Sequence, residues 1–94
     1  MGTAQNWMQA LSNRLDLPTD VLTGLPRMEL IGSELFRMEP HQGLLEYDHN
    51  RICVASRIGR ILICGRELRI TLMNVTQITI GGCITAVMLG ETYK

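Results

Sequence analysis

"ICGRELRITLMN" (residues 63–74) sets a single glycine between two runs in which apolar residues alternate with polar or small ones. Alternation with a period of two marks a strand with one buried face. A glycine between two such runs suits a tight turn, because hairpin turns need a positive φ that a Cβ penalises. The stretch predicts strand, turn, strand, with Gly65 at the turn.

The same arrangement recurs outward from this point. From Pro26 the chain divides into blocks of sixteen or seventeen residues: PRMELIGSELFRMEPHQ, GLLEYDHNRICVASRI, GRILICGRELRITLMNV and TQITIGGCITAVMLGE. The third position of each block is Met28, Leu45, Ile61 or Ile78, and the fifth is Leu30, Tyr47, Ile63 or Ile80. The seventh, the expected turn, is Gly32, His49, Gly65 or Gly82, and apolar residues resume at Leu35, Ile52, Leu68 and Ile84. His49 replaces glycine, but Asp48 and Asn50 beside it tolerate left-handed conformations. The pattern predicts an all-β chain of about eight short strands in four hairpin-like repeats, closed as a two-sheet sandwich or roll. A short β-solenoid with one block per coil is the alternative.

Ahead of the blocks the periodicity changes. "AQNWMQALSNRLDL" places Trp7, Leu11 and Leu15 at i, i+4 and i+8 with Met8 alongside, which is one helical stripe. A helix over 4–16 is expected, then a short second turn over 18–23, with Gly24–Pro26 as the stop. The organisation expected is an N-terminal helical segment over 1–25 and a β-domain over 26–94.

Ninety-four residues suit one small domain, and only Trp7, Phe36, Tyr47 and Tyr93 are aromatic, so the core must come from Ile, Leu, Val and Met. Nine basic residues balance nine acidic ones, which gives no global field for nucleic acid or an acidic membrane. No basic region followed by an apolar stretch opens the chain, so a cytoplasmic protein is expected. Cys53, Cys64 and Cys83 fall within strand patterns, as free thiols of a reducing compartment would.

Catalytic motifs are missing from the sequence. It contains no G-x-S-x-G, H-E-x-x-H, P-loop or G-x-G-x-x-G, and Ser12, Ser33 and Ser56 have no histidine near them in sequence. His41, His49 and Cys53 lack the spacing of a metal site and read as turn and core residues, so neither metal nor cofactor is expected. Charge is segregated instead. Glu29, Glu34, Glu39, Glu46 and Asp48 precede Arg51, Arg57, Arg60, Arg66 and Arg69, which predicts cross-strand ion pairs between neighbouring hairpins.

Residues 70–90 carry no charge at all. That length could span a bilayer, but Asn74, Gln77 and four threonines interrupt it and it alternates like strands, so direct membrane insertion is not expected. In its last strand, simple alternation puts Val87 and Leu89 opposite Ile84 and Ala86, both sets apolar. Leu62 likewise opposes Ile61 and Ile63. A small monomer does not readily cover both faces of such strands, so Val87, Leu89 and Leu62, with Trp7 and Leu11 of the helical stripe, form the candidate interface of a homo-oligomer.

Taken in order, "LPRMELIG" after "LPTDVL", then "HQGLLEY", "GRILICGRELRI" and "ITIGGCITAV", resemble the YabP/YqfC family of sporulation proteins, and the YqfC branch most closely. The most specific piece is the run through Gly59, Leu62, Ile63, Gly65, Leu68 and Ile70. The resemblance implies a non-enzymatic protein of the mother-cell cytoplasm in endospore-forming bacteria. It implies an assembly or scaffold factor, peripheral to the forespore membrane through a membrane-anchored, YqfD-like partner. A self-assembling β structural protein and a regulatory nucleic-acid binder using the arginines are the alternatives. The family supplies no catalytic residues to carry over.

Overall fold

The computed structural model describes residues 24–91. Six strands form: β1 (Arg27–Ile31), β2 (Leu35–Glu39), β3 (Leu44–Asp48), β4 (Arg51–Ser56), β5 (Gly59–Met73) and β6 (Ile78–Glu91). They make one sheet in the order β1-β2-β6-β5-β4-β3, with every neighbouring pair antiparallel. The all-β expectation is met. Among the described residues the sheet is single rather than double and has six strands rather than eight, and its antiparallel pairing throughout excludes a solenoid. The expected N-terminal helix lies outside the described residues.

The strand count falls because the third and fourth blocks do not fold back at their middles. The first two blocks make hairpins, with Gly32 (φ 56°) in the β1–β2 turn and His49 in the β3–β4 turn, where the Asp48 carboxylate accepts the Asn50 N–H at 2.9 Å. Gly65 and Gly82 were also expected at turns, but they lie inside β5 and β6. Their glycines answer a different demand. A Cβ at Gly65 would overlap the Cys83 carbonyl oxygen, and one at Gly82 would sit 2.6 Å from the Glu67 carbonyl oxygen. Both positions are therefore close approaches of β5 to β6, next to shifts in the β5–β6 register.

Each hairpin turn docks on one of these bulged places. Gly82 and Ile84 donate their N–H groups to the Glu34 and Ser33 carbonyls at 3.2 and 2.7 Å. Gly65 and Leu68 donate to the Asn50 and His49 carbonyls at 3.0 and 2.7 Å. The two halves of the sheet thus repeat one device about a rough dyad between β5 and β6. The core follows the same rule. Phe36 and Met38 of β2 answer Ile52 and Val54 of β4, Ile78 and Ile80 answer Ile61 and Ile63, and Ile84 answers Leu68, all in one buried cluster. Burying side chains of this size contributes roughly 1.5–3 kcal/mol each.

The β2–β3 connection is pinned by His41. Its Nδ1 accepts the Gly43 N–H at 3.0 Å, which leaves the proton on Nε2 to donate to the Asn74 carbonyl at 2.8 Å. The ring thereby ties this loop to the tip of the β5–β6 hairpin.

Candidate interaction surface

The register sets which apolar side chains stay open. In β1, Met28 and Leu30 stand directly opposite Met38 and Phe36, so they share the core-facing side of the sheet. In β6, Val87 stands opposite Ile63, which is a core residue. The extra residue Thr85, between Ile84 and Ala86 in the pairing, resets the alternation. Val87 consequently joins Ile84 on the core-facing side, where simple alternation placed it on the opposite one. It packs against the core cluster with Met28.

Beyond these residues the interior opens to solvent. A trough of about 420 Å³ is lined by Met28, Leu30, Phe36, Val87 and Leu89, with Glu29 at its rim. It continues past Leu30 and Val87 toward the β1–β2 turn at Gly32 and Ser33. Leu30 is 53% exposed and Leu89 57%. The trough exists because β2 pairs with β6 only over Ile78–Gly81, and after the turn contacts at Gly82 and Ile84 no described strand adds to that edge of β6.

Of the candidate interface residues, the structure brings Val87 and Leu89 together here. Leu62 sits on the other face of the sheet and is buried. Trp7 and Leu11 lie outside the described residues. Leu30 and Met28 were missed as surface residues, although their positions in the first block mark them as strand residues of a consistent face. A second apolar feature is the β5–β6 tip, where Val75 is 90% exposed and Leu72 and Met73 are half exposed.

The charged residues make local pairs. Arg37 stands opposite Glu29 and meets it at 3.1 Å, and Arg51 meets Glu46 across β3 and β4 at 3.3 Å. Both pairs lie within one hairpin, β1–β2 and β3–β4, rather than between neighbouring hairpins as the charge segregation predicts, and at this exposure each contributes a few tenths of a kcal/mol, up to about 1. His49 Nδ1 lies 3.3 Å from the Leu68 carbonyl, and no cluster of three metal-ligating side chains occurs among the described residues. Cys53, Cys64 and Cys83 are free thiols, and Arg60 and Arg66 reach the sulfurs of Cys53 and Cys83 at 3.2 and 3.3 Å. No described helix is long and apolar enough to cross a membrane. The arrangement can bind an apolar side chain or strand.

The profile of the YabP family matches residues 24–93. The chain is 31% identical over 93 residues to the uncharacterized protein YqfC of Bacillus subtilis (strain 168), covering 98% of this chain and 100% of that one.

Proposed function

The chain belongs to the YabP family, and from that premise we propose that it is a non-enzymatic sporulation protein, an assembly or scaffold factor in the mother-cell cytoplasm. It is held near the forespore membranes by a membrane-anchored partner of the YqfD kind. The observation that carries the binding role is the trough, where Leu30 and Leu89 present apolar surface beside the half-buried Met28 and Val87. Patches of this sort on small domains mark protein contacts.

The test is an affinity pull-down from sporulating cells with membrane proteins solubilised. Wild type should recover a membrane-anchored sporulation protein, and Leu30→Asp with Leu89→Asp should lose it while keeping the β-sheet circular dichroism. Recovery of the same proteins by both chains would remove the trough from the role.

A second reading, association of copies through the same trough, is favoured by the adjacency of Leu30 and Leu89. Val87 is unsuited to test it, because it packs on the core. Light scattering should give wild type a higher mass than Leu89→Asp; a monomeric wild type at high concentration would discard this reading.

A further inference from the structure

Beside the trough, β6 leaves backbone groups as well as side chains open. The Gly65 N–H turns outward to the Asn50 carbonyl, and β4 pairs with β5 without a shift from Ser56↔Gly59 to Arg51↔Cys64. Backbone groups alternate in direction along a strand, so those of Leu62 and Cys64 turn the other way, toward β6. There they meet Met88 and Ala86, their register partners. Val87 and Leu89 therefore direct their own N–H and C=O groups away from β5, along the edge to which no described strand adds. The same two residues send their side chains into the trough. An extended strand placed here satisfies both sets at once, whereas a helix laid in the trough would leave the edge groups unpaired.

Charge selects the occupant. Among the described residues the outermost strands, β1 and β3, carry Glu29 and Glu46, which oppose pairing of like with like. The edge of β6 from Thr85 to Gly90 carries no charge and can meet its own copy without repulsion. We infer that two copies of the chain join antiparallel through this edge, about a twofold axis at Met88. In that register Val87 of each copy exchanges N–H···O bonds with Leu89 of the other, so every outward group of the two residues is used. A twofold axis normal to the sheet keeps its faces. The second copy's Val87 and Leu89 thus point to the same core-facing side, and the two troughs merge into one apolar seam with Leu30 of each copy along it. The join rests on the association of copies through the trough and adds its form, one sheet continued from β6 to β6.

Amide exchange in the wild-type chain reads the pairing directly. In concentrated solution, where light scattering should give the mass of a dimer, the Val87 and Leu89 amides should exchange about tenfold or more slowly than after dilution to the monomer. The Ala86 and Met88 amides, turned to β5, should be protected at both concentrations. Met88→Cys supplies a second measurement. Opposed residues of a non-hydrogen-bonded pair have Cα atoms about 4.5 Å apart, within reach of a disulfide. Mild oxidation should therefore link copies through the introduced thiol, with the joined peptide identified by mass. Leu72→Cys, half exposed at the β5–β6 tip, should link copies no more than wild type does. A dimer whose Val87 and Leu89 amides exchange as fast as the monomer's would overturn the edge join and leave the association of copies standing. Monomeric mass at every concentration would overturn both. Protection of these two amides undiminished in the monomer, or linking by Leu72→Cys as ready as by Met88→Cys, would overturn the join alone.

Discussion

At Gly65 the missing side chain is a packing requirement rather than a conformational one: its φ is not in the left-handed region, and a Cβ would run into the Cys83 carbonyl. Gly32 is the converse, with φ 56° and open space around it. Gly65→Ala should therefore cost about 3 kcal/mol or more through forced separation of β5 and β6. Gly32→Ala should cost about 1 kcal/mol. At roughly 4–8 °C per kcal/mol, thermal melts should separate the two variants clearly, and midpoints within about two degrees of each other would refute the close-approach account. Sequence marks both glycines equally, because a turn and a close approach alike demand the absence of Cβ. What distinguishes them is a carbonyl contributed from β6, eighteen positions further along the chain than Gly65. Local pattern carries no trace of it.

Among the elements, the β5–β6 hairpin depends on one side chain at its tip. Asn74 Oδ1 accepts the N–H groups of Thr76 and Gln77 at 2.9 and 2.7 Å, and the Thr76 hydroxyl at 3.3 Å. Asn74→Ala should cost about 1–2 kcal/mol and speed amide exchange at Thr76 and Gln77 while β4 amides stay protected; uniform exchange across the sheet would contradict this. His41→Ala removes the ring's tie from the β2–β3 loop to the same tip, keeps the backbone bond from the His41 N–H to the Thr76 carbonyl at 3.1 Å, and leaves the Gly43 N–H and Asn74 carbonyl without the ring, at about 1–3 kcal/mol. Its melting midpoint should fall accordingly, and an unchanged midpoint would show that water replaces the ring. At this scale, alternation marked the blocks as strand-forming and named Ile52 as an inward residue of β4, but in β2 the inward residues are Phe36 and Met38 rather than Leu35. It failed at Val87, because the extra residue Thr85 flips the face of everything after it, and an extra residue is visible only in the pairing.

For the whole molecule, the blocks were legible and their folding was not. Two of the four bend at the middle and two run straight, and that choice is made by the turns of the first two docking on Gly82 and Gly65. The trough follows from the same event, since the docked turns stop short of the end of β6, so no local sequence signal announces it. The matched halves have a consequence at the rims of the sheet. Each outermost strand, β1 and β3, has a glutamate at its centre, Glu29 and Glu46, the fourth residue of its block in both cases and steadied by an arginine next door. Two such rims brought together in register set carboxylate against carboxylate, which is unfavourable by about 0.2–1 kcal/mol per pair and repeats with every copy added. Among the described residues β1 and β3 are the outermost strands, and their glutamates are expected to oppose rim-to-rim growth into a fibre. Glu29→Gln combined with Glu46→Gln should shorten the lag before thioflavin fluorescence rises in concentrated solution. Identical time courses for variant and wild type would mean that the glutamates are not what holds the rims apart.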